Sequence, residues 1–351
     1  MYFPRLKIDT GRISHNAKTI NDRCTGKGIS VVGVTKCILA HRQITPLLVR
    51  SGIRTLADSR LLNIRRLSES LKDASAVMML RTPMPGEVEE LVNICRTSLN
   101  TQAQTVRQIA EQCSRYQVTH DIIIMVETDD EREGLLPEQV PGFCRDIMGK
   151  NKYLRIRGLG TNARCITSKG PTRESIEILV SLKKELERTL GLRMDILSGG
   201  NSSIWDMIES GGLPAQVNQV RMGEAIFLGH ETAGWRDIEG LYQDCFVLEA
   251  CIIEVKKKAN IPYRLILALG LQDARLEDLE VLDKRLKPGS QSSDHTMLDI
   301  REDAGEKDFP NFRVGGIISF NLNYFGLLSS MTSPFVQKDF NWEAAARDWK
   351  R

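Results

Sequence analysis

The chain has 351 residues, of which 41% are hydrophobic and 26% are charged, and 48 lysines and arginines against 45 aspartates and glutamates leave a net charge of +3. This balance excludes a strongly basic nucleic-acid-binding protein and an acidic solvating tail. The length predicts two domains of roughly 150 residues each, or one large α/β domain with an addition.

Neither a membrane span nor a secretory signal is predicted. No apolar run approaches the roughly 18 residues that cross a bilayer, and the opening MYFPRLKIDTGR lacks the apolar stretch of a signal peptide. We therefore expect a cytoplasmic protein. The eight cysteines are scattered without a C-x-x-C pair, which predicts mostly buried thiols and neither a disulfide frame nor a metal site.

Short β-branched or apolar runs recur along the first 225 residues and alternate with segments of helical periodicity. The clearest helical segments are 101–116 and 172–190. Because a parallel return needs a crossover, the alternation predicts a parallel sheet, and eight strands favour a closed (β/α)8 TIM barrel over an open doubly wound sheet. The predicted strands are 31–36, 53–57, 76–80, 95–100, 121–127, 154–160, 194–200 and 216–223.

The pattern changes after residue 225, where strand-like runs are joined by links rich in Gly, Pro, Asp and Asn. This predicts a mostly antiparallel β domain, into which the first strand, 5–9, could pair. The acidic stretch 273–283 is interpreted as a solvated helix or loop. The expected domains are a barrel at 10–228 and a β domain made of 1–9 plus 229–351, whose other predicted strands are 241–257, 264–270, 295–300 and 313–322.

In a barrel, catalytic residues lie at the carboxyl ends of the strands. The first barrel strand ends in Lys36, after apolar or small residues. A buried ammonium is costly, so such a lysine is paired, neutral or covalently used, for instance as an imine with an aldehyde cofactor. The alternative is an ordinary surface lysine just past a strand.

The ends of the seventh and eighth barrel strands have the composition of phosphate-binding turns. Residues 198–203 read SGGNSS, and Gly223 follows the eighth strand. Glycines let a ligand approach the backbone, and the free N–H groups at a helix start suit a phosphate. Arg221 would lie deeper, beside whatever carries the phosphate. Ordinary capped turns and a structural salt bridge of Arg221 are the alternatives.

The fifth barrel strand runs into Glu127-Thr128-Asp129-Asp130-Glu131-Arg132-Glu133-Gly134. Arg132 could present its guanidinium fork to an anion such as a carboxylate. A surface ion pair within the acidic stretch is the alternative.

These motifs, in this order, resemble the fold-type III pyridoxal-phosphate enzymes of the alanine racemase group. The resemblance covers nearly the whole chain and is carried by LKIDTGRISHN (6–16), GVTK (33–36), VETDDEREG (126–134), SGGNSS (198–203) and VRMGEAIFLG (220–229). The wording VVGVTK, TLADSR, GTNARC, SGGNSS and SSDHTMLD is most similar to the ornithine racemase type.

The resemblance implies pyridoxal 5'-phosphate as cofactor and a role for each matching position. Lys36 would bind the cofactor covalently and act as one of two bases for the α-proton. Ser202 and the backbone N–H groups near Gly223 and Glu224 would hold the phosphate. Arg132, with Asp130 beside it, would face the cofactor's phenolic oxygen or the substrate carboxylate. Asn162 stands where the family has a ring-stacking histidine, and Arg221 would hydrogen-bond the pyridine nitrogen.

Arg221 indicates the reaction type. An arginine stays protonated, so it donates to the ring nitrogen and leaves the cofactor a weaker electron sink than an acidic partner does. A weaker electron sink fits racemisation, which removes and returns the α-proton of an amino acid, better than it fits decarboxylation. Decarboxylases of the same fold carry an acidic residue at the position of Arg221. A decarboxylase of a basic amino acid and a non-catalytic pyridoxal-phosphate carrier are the alternatives.

Two departures leave the second base open. The family's catalytic tyrosine from the partner's β domain is replaced by Leu271, and Ala40 and His41 occupy the region where alanine racemases carry another tyrosine, which predicts a roomier pocket. In the loop 289–295, which would enter the active site across a homodimer, Ser293 or His295 could move the proton. Asp294 matches an acidic position that basic-amino-acid decarboxylases of this fold use for the distal amine of the substrate, which predicts a cationic side chain such as that of ornithine or lysine. A hairpin turn without ligand contact is the alternative.

Overall fold

A computed structural model describes residues 3–128, 130–149, 151–258, 261–301 and 312–340. The chain divides into two compact units. We call residues 14–36 and 40–241 the barrel unit, and residues 1–13, 37–39 and 242–351 the β unit. The domain boundaries expected from the sequence stay a prediction. Within the described ranges, no helix is long and apolar enough to cross a membrane.

The barrel unit is a closed barrel of eight parallel strands, in which chain neighbours are also spatial neighbours. Each strand overlaps one of the eight predicted runs, so the predicted barrel is confirmed and the open sheet is not. The strands are β2 (Ser30–Val34), β3 (Thr55–Asp58), β4 (Val77–Met79), β5 (Thr97–Asn100), β6 (His120–Met125), β7 (Leu154–Gly160), β8 (Ile196–Ser198) and β9 (Gln219–Met222).

Amphipathic helices connect these strands. In α5 the buried side chains Val106, Ile109 and Cys113 recur at helical spacing, and in α7 the Thr172 hydroxyl caps the start by accepting from the Ser175 N–H at 3.1 Å. The helices are α1 (Thr10–Thr25), α2 (Thr45–Arg50), α3 (Leu61–Leu71), α4 (Val88–Ile94), α5 (Ala103–Tyr116), α6 (Val140–Ile147), α7 (Arg173–Leu190), α8 (Trp205–Glu209), α9 (Glu224–Leu228) and, in the β unit, α10 (Tyr324–Thr332).

Side chains from five consecutive strands pack together and form a hydrophobic core of the barrel. Because all eight strands run in the same direction, their carboxyl ends meet at one rim. The rim therefore brings together residues that are far apart in sequence. The core cluster consists of Val32, Ala57, Met78, Leu99, Ile123 and Met125.

The β unit is built on a largely antiparallel eight-stranded sheet, which confirms the predicted β domain. The first strand pairs with the long strand β10, as expected. The strands follow the order β12-β15-β10-β11-β14-β13, with β1 between β10 and β16. They are β1 (Arg5–Ile8), β10 (Phe246–Lys258), β11 (Ile261–Ala268), β12 (Leu279–Val281), β13 (Leu286–Gln291), β14 (His295–Ile300), β15 (Ile317–Leu322) and β16 (Gln337–Asp339).

The acidic stretch 273–283 was expected to be a solvated helix or loop. This prediction is wrong for the part that forms β12. Leu279 and Val281 are buried while Glu280 is exposed, and this strand pairs with β15. Because acidic residues surround β12, its short alternation of buried and exposed residues is not apparent in the sequence.

The prediction of mostly buried thiols is confirmed, since six cysteines are buried and Cys165 is the exposed one.

Candidate active site

The lysine at the end of the first barrel strand is held by a rigid backbone. The Thr35 N–H donates to the Ala57 carbonyl at 2.9 Å, and the Thr35 hydroxyl donates to Asp58 Oδ2 at 2.9 Å. Lys36 opens a short 3-10 helix, is half-buried, and makes no hydrogen bond or close ion pair with any residue that the structure describes. Its role in binding a cofactor stays a prediction.

Asp58, at the end of β3, organises this part of the rim. Its Oδ1 accepts from the N–H groups of Ser59 and Arg60 at 2.7 and 3.1 Å and from Asn63 Nδ2 at 3.1 Å. Burial raises the pKa of the Asp58 carboxyl despite these bonds. The sequence motifs did not assign Asp58 a role. An acid at the end of a barrel strand, followed by a helix, was the signal that could have identified it.

The turn after β8 is shaped by Gly200 and Asn201. Gly200 has φ +130°, a region that side-chain-bearing residues rarely adopt. Asn201 caps the 3-10 helix Ser202–Ile204 by accepting from the Ser203 N–H at 2.8 Å. Ser202 is buried, and its hydroxyl accepts from the Ala225 N–H at 3.2 Å, which ties this turn to the start of α9.

Gly223 lets α9 start close against the end of β2. A Cβ on Gly223 would lie 3.1 Å from the Val34 carbonyl oxygen and 3.2 Å from the Val34 Cβ. The structure thus brings together Ser202, Gly223 and Glu224, three residues that the sequence assigned to one phosphate site. Whether they bind a phosphate stays a prediction.

Arg221, on β9, is buried and is held by neutral acceptors. Its Nη1 donates to the Ser198 hydroxyl at 2.6 Å, and its Nη2 donates to the Thr161 carbonyl at 2.5 Å. No acidic side chain forms an ion pair with it in the part of the chain that the structure describes. Burial lowers the pKa of Arg221 to about 10, so the guanidinium stays charged at neutral pH.

The loop after β6 is closed at its base. The Glu127 N–H donates to the Leu135 carbonyl and the Leu135 N–H donates to the Met125 carbonyl, both at 2.9 Å. Arg132 lies on this loop, donates from Nε and Nη2 to the two carboxylate oxygens of Glu133, and lies 3.6 Å from Asp130. In this structure Arg132 makes the surface ion pair of the alternative interpretation, and its role toward a substrate carboxylate stays a prediction.

Asp130 and Asn162 belong to one polar network. The buried Asp130 accepts from Asn162 Nδ2 at 3.0 Å and from the N–H groups of Cys165 and Ile166 at 2.7 and 3.1 Å. Asn162 Oδ1 in turn accepts from Asn201 Nδ2 at 3.0 Å. Both carboxylate oxygens of Asp130 therefore accept hydrogen bonds from the loop after β7. The predicted contact of Asp130 with substrate and that of Asn162 with the cofactor remain untested.

In the β unit, the two loops that the sequence singled out lie against each other. The N–H groups of Leu271 and Gln272 donate to the carbonyls of Ser292 and Ser293 at 2.9 and 3.0 Å. A Cβ on Gly270 would lie 2.2 Å from the Ser293 carbonyl oxygen, so only glycine fits there. The position that lacks the family's tyrosine is thus next to the turn that carries the candidate second bases.

This turn joins β13 to β14 and presents an exposed acid. The Ser293 hydroxyl donates to Asp294 Oδ1 at 2.9 Å, and His295 Nδ1 lies 3.2 Å from the same oxygen. The hydrogen bond from Ser293 is the main reason that the pKa of Asp294 is lowered, so this carboxylate is ionised at neutral pH. Its role as a ligand for a substrate amine stays a prediction.

Comparison with known proteins gives a consistent result. Residues 8–231 match the model of the alanine racemase N-terminal domain. The chain is 34% identical to a lysine racemase of Thermotoga maritima, over 96% of this chain and 98% of the relative, and 31% identical to an ornithine racemase of Acetoanaerobium sticklandii, over 96% and 99%. The solved alanine racemase of Corynebacterium glutamicum superposes with a TM-score of 0.77 at 15% identity, covering 97% of this chain and all of that one. With the family model covering more than half of the chain and two relatives aligned from end to end, this protein belongs to the alanine racemase family.

Proposed function

We propose that this protein is a pyridoxal-phosphate-dependent racemase that interconverts the L and D forms of a basic amino acid, ornithine or lysine. The names of the two full-length relatives, lysine racemase and ornithine racemase, support the reaction and the substrate class. The observation in this chain that carries the proposal is the environment of Arg221, which is buried, charged and bonded only to neutral acceptors among the described residues.

Pyridoxal phosphate is the cofactor of this family, and the residues at the rim fit it. Lys36 offers an amine without a hydrogen-bond partner in the described chain. Ser202, Gly223 and the first turn of α9 offer a hydroxyl and helix N–H groups, a donor set that suits a phosphate. Arg221 keeps N–H groups beyond the two bonds that it makes, and these can donate to a ring nitrogen.

When bound, pyridoxal phosphate delocalises the electron pair that remains on the α-carbon after its proton leaves. Lys36 Nζ removes or returns that proton on one side of the α-carbon. A second group must do the same on the opposite side, because inversion requires the proton to return to the other face. We assign this second role to Ser293 or His295 of a partner subunit, and histidine is the residue type that more often moves protons near neutral pH.

Arg221 favours racemisation over decarboxylation. Its guanidinium donates a hydrogen bond and does not give up its proton, so it does not promote full protonation of the ring nitrogen. The electron sink stays moderate, and a rapidly reprotonated α-carbon is the expected outcome. Glu224 is the acidic residue near Arg221 in the sequence, and it makes no hydrogen bond with Arg221 in the structure.

Substrate selection is proposed to use charge at both ends of the amino acid. Arg132 would leave Glu133 to bind the α-carboxylate, and the ionised Asp294 would bind the distal amine from the partner subunit. Asp130 would keep the Arg132 loop in place. This arrangement selects a cation on the side chain and does not favour alanine.

We propose a homodimer in the cytoplasm. The β unit exposes several large apolar side chains, and an interface between copies of the chain would cover such side chains. They include Ile253, Leu271, Val314, Ile317, Phe325 and Phe335.

The decisive experiment is circular dichroism of a panel of L-amino acids incubated with the purified protein and cofactor. We expect the signal of ornithine or lysine alone to decay to zero without release of carbon dioxide. Lys36→Ala should abolish both this decay and the absorbance near the visible edge that is typical of a cofactor bound covalently to lysine. Carbon dioxide release with retained optical activity would identify a decarboxylase. Bound cofactor without turnover of any amino acid would identify a carrier.

A further inference from the structure

The turn that carries the candidate second bases is closed at its base by a short piece of strand pairing. The Ser292 N–H donates to the His295 carbonyl at 2.8 Å, and the next pair is Gln291 on β13 with Thr296 on β14. The register of the two strands shifts between Pro288 and Gln291, so the hairpin ladder does not run regularly into the turn. The position of the turn therefore depends on contacts from outside the hairpin.

The side chain of Gln291 supplies such contacts and uses both ends of its amide. Its Oε1 accepts from the Leu276 N–H at 2.9 Å, and its Nε2 donates to the Ala274 carbonyl and to the Thr296 hydroxyl, both at 2.9 Å. Gln291 is half-buried, and Ala274 and Thr296 are buried. One amide thus joins the base of the turn to the neighbouring segment of the chain.

The Thr296 hydroxyl extends this connection. It accepts from Gln291 and donates to the Leu269 carbonyl at 2.7 Å, one residue beyond the end of β11. The loop that begins there also donates two backbone hydrogen bonds to the turn, from Leu271 and Gln272. Side-chain bonds at the base of the turn and backbone bonds at the turn itself therefore lead to the same loop.

We propose that Gln291 is a positioning residue that holds the turn, and with it Asp294 and His295, in the place that substrate binding and proton transfer require. Without its amide, Leu276 and Ala274 lose this hydrogen-bond partner, and the turn is free to move against the loop. Functional side chains have to be held to within about half an ångström of their working geometry. This inference rests on the proposed function in taking Asp294 and His295 as groups that act on the substrate.

Hydrogen exchange followed by mass spectrometry tests the positioning itself, in the full-length protein supplied with pyridoxal phosphate. The variant is Gln291→Met, which keeps the length of the side chain and removes the amide. We expect backbone amides in 269–276 and 289–296 to exchange about tenfold faster, because local opening becomes easier when these hydrogen bonds are lost. Gln337→Met makes the same change at an exposed position on β16 and should leave this exchange unchanged. Unchanged exchange in Gln291→Met would overturn the proposal.

The reaction in heavy water shows whether the position of the turn matters for proton transfer. The substrate is the enantiomer of lysine or ornithine whose α-proton Lys36 removes, and two rates are compared: deuterium uptake with retained configuration, and inversion. In Gln291→Met the ratio of uptake to inversion should rise about tenfold, since misplacing a reacting group by about 1 Å can slow its step about a hundredfold. A general structural defect lowers both rates alike, so an unchanged ratio would also overturn the proposal.

A second pair of variants covers the case in which Gln291→Met does not fold. Thr296→Val removes the hydroxyl that Gln291 bonds and should reproduce both effects, and Thr296→Ser, which restores the hydroxyl, should recover most of the loss. Equal behaviour of the two Thr296 variants would contradict the proposal. A wild-type protein that racemises no amino acid would refute the proposed function, whereas hydrogen exchange would still show whether Gln291 holds the turn.

Discussion

Replacing Gly270 by alanine should separate the two loops that lie together in the β unit. The new Cβ would lie 2.2 Å from the Ser293 carbonyl oxygen and 2.3 Å from the Asp294 backbone. These are main-chain atoms, so no side chain can rotate away. Overpacking of this kind costs about 1–3 kcal/mol, and weakening the two backbone bonds from Leu271 and Gln272 costs about 1 kcal/mol each. The expected loss in the free energy of unfolding is about 3–5 kcal/mol.

Urea unfolding followed by circular dichroism measures this loss, with Gly142→Ala as the matched control. Gly142 lies inside α6, and nothing lies within 4 Å of the position that its Cβ would take, so alanine there should stabilise the protein by about 0.5–1 kcal/mol. Gly270→Ala should also raise the KM for a basic substrate, because the turn that carries Asp294 must move. If the stability of Gly270→Ala stayed within about 0.5 kcal/mol of wild type, the close packing of the two loops would be refuted.

Three further predictions concern acidic residues. Asp294→Asn should raise the KM for ornithine or lysine at least tenfold more than that for neutral amino acids, since roughly one charge-assisted hydrogen bond is lost; equal losses would refute a role in binding the distal amine. Asp130→Asn should lower the free energy of unfolding by about 1–3 kcal/mol in urea titrations, because the N–H groups of Cys165 and Ile166 lose the charged acceptor that the buried Asp130 provides; no change would contradict the network. Burial raises the pKa of Glu224 from 4.5 to about 7, so the folded state holds this proton more tightly than the unfolded chain. The stabilisation of the folded state by this proton is therefore fully present below pH 4.5 and is lost as the pH rises through about 7. The free energy of unfolding should fall over this range by about 3 kcal/mol, at about 1.36 kcal/mol per pKa unit. The free energy of unfolding of the cofactor-free Glu224→Gln variant should lack this decline with pH. If wild type and variant show the same dependence on pH, the raised pKa of Glu224 is refuted.

The barrel could be predicted because its signal is local and repeated. Each parallel strand is buried on both faces and reads as a short apolar run, as Ile122, Ile123 and Ile124 do in β6. β12 escaped prediction because three residues give too little alternation to stand out among acidic neighbours. Its burial depends on pairing with β15, which lies far along the chain.

The rim residues could be predicted by position, and their partners could not. Lys36 lies just beyond the carboxyl end of β2, and Arg221 lies near the carboxyl end of β9. Since the active sites of parallel barrels lie at this end, the topology alone indicates both residues. The hydrogen bonds that Thr35 donates to Asp58 and that Asn162 donates to Asp130 join residues 23 and 32 positions apart. Such contacts depend on how neighbouring loops fold over the rim, and no periodicity in the sequence encodes them.

The replacement of the family's tyrosine by Leu271 is easier to understand from the packing of the β unit. Leu271 is bonded through its backbone to Ser292 and leaves its side chain more than half exposed. The turn that it supports carries Ser293 and His295, so the two candidates for the second base lie beside the position where the family has its tyrosine. A tyrosine hydroxyl needs strong perturbation of its pKa to act as a base near neutral pH, whereas histidine as a residue type has an ordinary pKa in that range. We propose that the second proton-transfer role lies on the adjoining turn. His295→Gln, which leaves Asp294 in place, is the variant that separates this role from substrate binding.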